Sequence, residues 1–182
     1  MHDLTPGDSA LLLIDLQQRL LPTIDRHESV TRACEDLIDG LALLELPVIL
    51  TEQFRRLLGP TAECLRDRLP GVEPLPKMTF DCCGEPAFLE ALERTGRRQI
   101  IVAGIETHVC VLQTACSLAR MGYGVFLAAD ACGSRKPEDR ELALQLMRER
   151  GVTVATVEML VFQLLGTAEG RAYRQFVKIL KR

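Results

Sequence analysis

Short, continuous apolar runs recur along the chain and predict buried strands. Four runs are clear, at residues 10–14, 47–50, 100–103 and 125–129, and a fifth, at residues 152–155, is weaker. Runs of this length without polar interruptions are typical of strands that are buried on both faces, as in a parallel sheet. A sixth strand is predicted near residues 72–75, where Pro74 interrupts the apolar pattern.

Helical periodicity fills the segments between these runs. Apolar positions repeat along one helical face at residues 30–44, 112–119 and 142–147, and a last helix is predicted from about residue 169 to residue 180. Residues 60–86 hold five prolines and are predicted to be rich in loops. Strands that alternate with helices predict a doubly wound α/β fold, with a mainly parallel six-stranded sheet and helices on both faces, as in Rossmann-like proteins.

Length and composition predict one soluble domain over residues 1–182. The chain is 47% hydrophobic and 26% charged, which is typical of a globular protein. Its formal net charge of −3 gives no electrostatic reason to expect nucleic acid or an anionic membrane as a partner. The seven cysteines follow no disulfide or zinc-ligand spacing, and no secretory signal or span of transmembrane length is visible. We therefore expect a reducing compartment, the cytoplasm.

The segment around Cys110 is the strongest candidate for chemistry. A predicted strand ends at Gly104, and the chain then turns into a predicted helix with Cys110 in its first turn. Unpaired N–H groups and the helix dipole at such a position stabilise a thiolate and lower the cysteine pKa. The same N–H groups could hold the negative oxygen of a tetrahedral intermediate. Alternatively, Cys110 is a small apolar residue packed under the helix.

Two charged residues, one at the end of a predicted strand and one in a predicted loop, are further candidates; in doubly wound sheets, sites form beyond the carboxyl ends of the strands. Asp15 comes directly after four apolar residues, where a carboxylate is costly unless it is paired or used. The alternative is that it caps a short helix over residues 17–21. Lys77 lies in a predicted loop flanked by prolines, where it could place a fixed positive charge near a carboxylate or a thiolate. The alternative is a solvated loop lysine.

The three residues together resemble the isochorismatase-like cysteine hydrolases. The matching stretches are Leu-Leu-Leu-Ile-Asp15-Leu-Gln, Pro-Lys77-Met-Thr-Phe80 and Gly-Ile-Glu106-Thr-His-Val-Cys110-Val. Residues 51–53, 130–135 and 158–163 are also similar to that family, so the resemblance covers nearly the whole chain in the right order. The nearest branch is the isochorismatase-domain proteins, which share the Glu-Thr-His-Val-Cys stretch.

The resemblance implies an isochorismatase-like hydrolase fold and an Asp–Lys–Cys catalytic triad. Asp15 would take the thiol proton, Cys110 would attack a carbonyl carbon, and Lys77 would tune both charges; water would then release the acid from a thioester. The resemblance also implies a cis peptide bond between Ile105 and Glu106, and an oxyanion hole formed by the backbone N–H groups of Glu106 and Cys110.

Two departures from the family narrow the expected reaction. Nicotinamidases carry an Asp-x-His metal motif after the second strand, but this chain has Thr-Glu-Gln-Phe at residues 51–54, and its histidines are His2, His27 and His108. We therefore expect no catalytic metal, no cofactor and no activity on nicotinamide. Isochorismatases cleave a vinyl ether without a cysteine nucleophile, so Cys110 indicates cleavage of an amide-like C–N bond in a small molecule.

Four residues are candidate substrate contacts. They are Glu52, Gln53, Phe80 and Arg135. Arg135 could bind a substrate carboxylate with two hydrogen bonds, or it could form an ion pair within the protein. Glu52 and Gln53 could line the pocket or make structural hydrogen bonds. His108 is disfavoured as the base because side chains two residues apart on a helix point in different directions.

Two other classes of function are weighed against the hydrolase. One is a catalytically weak binding or scaffold protein on the same fold. The other is a nucleotide-binding protein, which is disfavoured because no glycine-rich phosphate loop follows a predicted strand. The resemblance also implies a homo-oligomer, a dimer or larger.

Overall fold

A six-stranded, wholly parallel sheet organises the fold. The computed structural model describes residues 4–182, so His2 lies outside the described residues. In the sheet the strand order is β3-β2-β1-β4-β5-β6. The strands are β1 (Ser9–Ile14), β2 (Val48–Gln53), β3 (Leu75–Lys77), β4 (Gln99–Ile105), β5 (Gly124–Gly133) and β6 (Thr153–Ala155). The doubly wound α/β architecture predicted from the apolar runs is confirmed.

Helices cover both faces of this sheet. In the described part of the chain they are α1 (His27–Ala42), α2 (Arg55–Leu58), α3 (Glu63–Arg66), α4 (Pro86–Thr95), α5 (Leu112–Arg120), α6 (Pro137–Glu149), α7 (Val157–Leu165) and α8 (Arg171–Ile179). One core contains residues of α1, α7 and α8, and the other contains residues of α4, α5 and α6. None of these helices combines the length and the apolar character that crossing a membrane requires.

The central strand β1 explains why the apolar runs are continuous. Leu11 and Leu13 pack into the core that contains α1, whereas Leu12 and Ile14 pack into the opposite core. Every residue of β1 is buried. Because side chains alternate between the faces of a strand, a strand covered on both faces needs apolar residues at consecutive positions.

The strand order reverses between β1 and β4, and the candidate site lies there. Chains that leave neighbouring strands toward opposite faces open a crevice at the carboxyl edge of the sheet. Ile14 pairs with Gly104 in the β1–β4 register. Gly104 has a φ of 135°, and a Cβ atom there would lie 2.1 Å from the Ile14 carbonyl oxygen. Only glycine allows the two strands to approach this closely at the crevice.

Several predicted boundaries were wrong near the ends of elements. The sixth strand was predicted at residues 72–75, but β3 begins at Leu75 and carries Lys77 as its last residue, so Lys77 is not in a loop. Pro76 lies in this strand because β3 is at the edge of the sheet, where one missing N–H donor is tolerated. The helix predicted from about residue 169 begins at Arg171, and helices α2, α3, α4 and α7 were not predicted.

Candidate active site

Three parallel strands bring Asp15, Lys77 and Cys110 together at the carboxyl edge of the sheet. Asp15 follows β1 directly, with a φ of 55° that turns the chain away from the strand. Lys77 ends β3. Cys110 lies in a five-residue π-helical turn, Thr107–Val111, which links β4 to α5. The three residues are 0%, 3% and 6% exposed, respectively.

The Asp15 carboxylate is held between a hydroxyl group and an ammonium group. Its Oδ1 accepts a hydrogen bond of 2.9 Å from the hydroxyl of Thr51, which is the β2 residue paired with Ile14. Its Oδ2 lies 2.7 Å from Lys77 Nζ. This contact is an ion pair between two buried side chains. Asp15 does not cap a helix, because none forms over residues 17–21.

The Lys77 ammonium group donates to three oxygens in addition to this ion pair. Nζ donates to Gln53 Oε1 at 2.5 Å, to the Thr79 carbonyl at 3.1 Å and to the Phe80 carbonyl at 3.4 Å. An ammonium group has three N–H donors, so these bonds occupy all of them. Burial lowers the pKa of Lys77, but the charge of Asp15, together with smaller contributions from neighbouring groups, outweighs burial and raises it. Lys77 is therefore a fixed positive charge.

Burial raises the pKa of Asp15, although Lys77 and the hydrogen bonds from Thr51 and Cys110 act in the opposite direction. Burial is the largest influence because a carboxylate loses most of its hydration free energy when water is excluded. Asp15 therefore has a higher proton affinity than an exposed aspartate. This property suits a group that takes a proton from a thiol.

The Cys110 thiol stays protonated at rest because it is buried near the Asp15 carboxylate. Burial, followed by the Asp15 charge, raises the pKa of Cys110 to about 12, and Lys77 lowers it only in part. The sequence-based expectation of a lowered pKa was wrong for a physical reason. Desolvation and a neighbouring carboxylate outweigh the favourable field at the start of a helix. The thiolate must therefore form as its proton moves to Asp15.

The cis peptide bond that the resemblance implied is present in the segment before Cys110. The peptide bond between Ile105 and Glu106 is cis. Glu106 Oε1 accepts hydrogen bonds from the Arg135 backbone N–H at 3.1 Å and from Arg135 Nε at 2.9 Å. Arg135 is thus ion-paired within the protein, yet its side chain is 62% exposed. Its two terminal nitrogens make no hydrogen bond to a residue within 4–182.

Two of the other candidate contacts are engaged by the protein itself. Glu52 Oε1 accepts from the backbone N–H and the hydroxyl of Thr61, at 2.7 Å and 2.8 Å, and Oε2 pairs with Arg55 at 2.8 Å. The Gln53 amide accepts from Lys77 and donates to the Met78 carbonyl at 3.0 Å. These are the structural hydrogen bonds that the sequence left open as an alternative.

Phe80 and His108 lie at the border of the site. The Phe80 carbonyl accepts from Lys77, while its ring is 53% exposed. His108 Nδ1 lies 2.9 Å from Ser134 Oγ, and its Nε2 lies 3.9 Å from an oxygen of Asp139. His108 therefore has polar partners on the β5–α6 side and is turned away from a role as the base of Cys110.

Sequence reasoning gave no role to Thr51 or Gln17. Thr51 orients the Asp15 carboxylate, and the parallel pairing of β1 with β2 places it there. Gln17 is fully buried and hydrogen-bonds to the backbone of Gln53. Within residues 4–182, no group of three histidine, cysteine, aspartate or glutamate side chains is arranged to hold a metal ion.

Comparison with known proteins identifies the family. The model of the isochorismatase domain matches residues 9–159. The mouse isochorismatase domain-containing protein 2A is 35% identical over 177 residues, which cover 97% of this chain and 84% of the mouse protein. The chain belongs to the isochorismatase family. Membership supports a hydrolase-type activity, while the reaction and the substrate differ among relatives.

Solved structures of isochorismatase-family relatives share the whole fold. A structure described as the MAR1 ribonuclease from Caenorhabditis elegans has a TM-score of 0.93 and 30% identity, and the match covers 100% of this chain and 93% of the nematode chain. The YcaC gene product of Escherichia coli, described as an octameric hydrolase of unknown specificity, has a TM-score of 0.90 and 26% identity. That match covers 99% of this chain and 88% of the bacterial chain.

Proposed function

We propose that this isochorismatase-family protein is a metal-independent cysteine hydrolase that cleaves an amide-like C–N bond of a small molecule through a thioester on Cys110. The observation that carries the proposal is the burial of Cys110, Asp15 and Lys77 together at the carboxyl edge of the sheet, with the charge of Asp15 balanced by Lys77 at 2.7 Å. A protonated thiol beside a carboxylate of raised proton affinity is the starting arrangement for nucleophilic attack assisted by a general base.

In the first half-reaction, Asp15 takes the proton of the thiol as Cys110 Sγ attacks the carbonyl carbon. The carbonyl oxygen becomes negative, and the backbone N–H groups of Glu106 and Cys110 are the proposed donors to it. When the tetrahedral intermediate collapses, the C–N bond breaks and Asp15 returns the proton to the leaving amine. The product of this half-reaction is a thioester on Cys110, and the catalytic groups carry no net change in protons.

The second half-reaction uses the same carboxylate. Asp15 takes a proton from a water molecule, whose oxygen attacks the thioester carbon. The C–S bond breaks, and the proton returns from Asp15 to the sulfur of Cys110. Lys77 takes no part in these proton transfers because its raised pKa keeps it protonated throughout. Its positive charge stabilises the buried carboxylate and the transient thiolate.

From the position of Arg135 we infer that the substrate carries a negative group beside the scissile bond. Its Nε is held by Glu106, the residue whose N–H is a proposed oxyanion donor, and its terminal nitrogens remain exposed. A guanidinium group whose two terminal nitrogens are free can bind a carboxylate through both of them. We therefore expect Arg135→Ala to raise KM about tenfold or more for amides that carry a carboxylate, and to leave neutral amides unchanged. Equal KM changes for both classes would contradict this role.

The test of the proposed reaction is turnover of an amide panel by the wild-type protein and by Cys110→Ala. The panel contains N-carbamoyl and simple primary amides, each with and without a carboxylate. We expect Cys110→Ala to lose at least about 10³-fold in kcat/KM without a loss of fold. Cys116→Ala is the matched control, since Cys116 is a half-buried cysteine of α5 and makes no contact with Asp15.

Two outcomes of the same assay would contradict the proposed cysteine hydrolase. Turnover that persists in Cys110→Ala would show that Cys110 is not the nucleophile. Binding of panel compounds without any turnover would favour the binding or scaffold protein. RNA is included in the panel because the nematode relative is described as a ribonuclease, although the net charge of −3 in this chain gives no electrostatic support for RNA binding.

We also propose that the protein forms a homo-oligomer in the cytoplasm. The relative from Escherichia coli is described as an octamer. Leu57, Met78 and Phe80 are large apolar residues that are more than half exposed, and they follow β2 and β3 at the edge that carries the site. The seven cysteines are free thiols, which suits a reducing compartment. Light scattering after gel filtration would show a single species larger than the 20.3 kDa chain, and a monomer would contradict the oligomer.

A further inference from the structure

The Gln53 amide bridges Lys77 to the backbone that follows it. Gln53 Oε1 accepts from Lys77 Nζ at 2.5 Å, the shortest of the three hydrogen bonds of the ammonium group. Gln53 Nε2 donates to the Met78 carbonyl at 3.0 Å, one residue beyond Lys77. The amide thus fixes both the ammonium group and the chain that carries it.

The backbone of Gln53 is held in turn by a buried glutamine. Gln17 is 0% exposed, and its amide makes two hydrogen bonds to the backbone of Gln53. Gln17 Oε1 accepts from the Gln53 N–H at 2.8 Å, and Gln17 Nε2 donates to the Gln53 carbonyl at 3.0 Å. Nε2 also donates to the Gly59 carbonyl at 2.6 Å, which ties the start of the β1 loop to the end of α2.

Gln17 is also linked to Asp15 through the main chain. The backbone N–H of Gln17 donates to the Asp15 carbonyl at 2.7 Å. Gln17 therefore stands two residues from the proposed base, and its amide reaches the residue that holds the opposing charge. A neutral amide can do this without adding a charge to a site whose ion pair is already shielded from water.

We propose that Gln53 and Gln17 are positioning residues that hold the Lys77 ammonium group against Asp15 and Cys110, and that Gln53 is not a substrate contact. The inference rests on the proposed function, because it assigns these residues to the same reaction. Gln53 acts on the ammonium group directly, and Gln17 acts through the backbone of Gln53.

Loss of the Gln53 amide should weaken the field of Lys77 at both reacting groups. Lys77 lowers the pKa of Asp15 and that of Cys110 against the effect of burial. If Nζ moves away, both pKa values rise further. A base with a higher pKa is ionised only at higher pH, so the acid limb of kcat/KM moves to higher pH. A thiol with a higher pKa is alkylated more slowly at a fixed pH.

The experiment compares Gln53→Met with Gln113→Met. Methionine has nearly the length of glutamine but lacks its amide, and Gln113 is an exposed glutamine of α5. For Gln53→Met we expect kcat to fall about tenfold with KM unchanged and the acid limb of kcat/KM to rise by about one pH unit. Alkylation of Cys110 by iodoacetamide at pH ~9 should slow about tenfold. Gln17→Met should move both quantities in the same direction.

The two readouts separate this inference from the proposed function. If wild-type protein turns over the panel but neither the acid limb nor the alkylation rate differs between Gln53→Met and Gln113→Met, the positioning role is overturned while the hydrolase stands. If no amide is turned over, the proposed hydrolase activity is contradicted, and the alkylation rate alone tests the positioning role. Slower alkylation in Gln53→Met then supports the positioning of Lys77, and an unchanged rate overturns it. Gln53→Leu, which also lacks the amide, should show the same slower alkylation as Gln53→Met.

Discussion

Lys77 Nζ lies 2.7 Å from Asp15 Oδ2, and both side chains are excluded from solvent. The ion pair joins β3, at the edge of the sheet, to β1, at its centre, across the end of β2. A charge buried without a partner is strongly destabilising, so each residue makes the other tolerable at this position. The pair therefore links the stability of the fold to the proposed chemistry.

Replacing Lys77 by methionine should destabilise the protein in a pH-dependent manner. At pH ~8 we expect the free energy of unfolding to fall by about 3 kcal/mol, because Asp15 is left as a buried charge without a partner. Burial already raises the pKa of Asp15, and removal of Lys77 raises it further. Protonation relieves the buried charge, so the deficit should grow as pH rises from the wild-type pKa of Asp15 to the higher pKa in the variant, level off above it, and shrink as pH falls.

Urea unfolding of Lys77→Met at pH ~5 and pH ~8 measures this dependence. Lys136→Met is the matched control, since Lys136 is exposed, precedes α6 and forms no ion pair with Asp15. We expect the control to stay within about 0.5 kcal/mol of wild type at both pH values. A deficit for Lys77→Met that is absent, or that is the same at both pH values, would argue against the buried ion pair.

Cys110 should react slowly with iodoacetamide near neutral pH. Its pKa is raised to about 12, so only a small fraction of it is thiolate at pH ~7.5. That fraction grows about tenfold for each unit by which the pH rises toward the pKa. Cys64 is exposed and should be alkylated at least about tenfold faster at pH ~7.5. Peptide mapping after timed labelling measures both rates. A Cys110 rate that levels off below pH ~9 would mean that the resting enzyme holds a thiolate.

Gly104→Ala should disrupt the sheet at the site. A Cβ atom at residue 104 would lie 2.1 Å from the Ile14 carbonyl oxygen, and the φ of 135° is strained for any other residue. We expect a loss of about 3 kcal/mol or more in the free energy of unfolding, or no folded protein. Gly7→Ala is the control because nothing lies within 4 Å of its added Cβ. Equal melting temperatures for the two variants would contradict the close approach of β1 and β4.

The sequence predicted the sheet well because its strands are buried on both faces. The continuous apolar runs locate β1 and β4 in the sequence. Asp15, directly after β1, marks the edge of the sheet that carries the site. Helix α7 was missed for the same physical reason. Its residues are apolar on nearly every face, so they show no clear helical period.

The chemistry at the site was less predictable because it depends on contacts between distant segments. The pKa of Cys110 follows from burial and from Asp15, which lies 95 positions earlier in the chain, and the local helix-start pattern suggests the opposite direction. Lys77 was expected in a loop because Pro74 and Pro76 come shortly before it. A strand that lacks the N–H group of one proline can nevertheless pair at the edge of a sheet. The contact of Gln53 with Lys77 exists only once β2 and β3 are paired.

The most direct test of the proposed mechanism is mass spectrometry of the intact protein, acid-quenched during turnover of a panel amide. A thioester adds the mass of the acyl group to the chain, and digestion locates it. We predict that this mass appears on Cys110 in wild-type protein, is absent from Cys110→Ala and is unaffected by Cys116→Ala. Turnover with no adduct at any quench time, and at an unchanged rate in Cys110→Ala, would contradict the cysteine nucleophile.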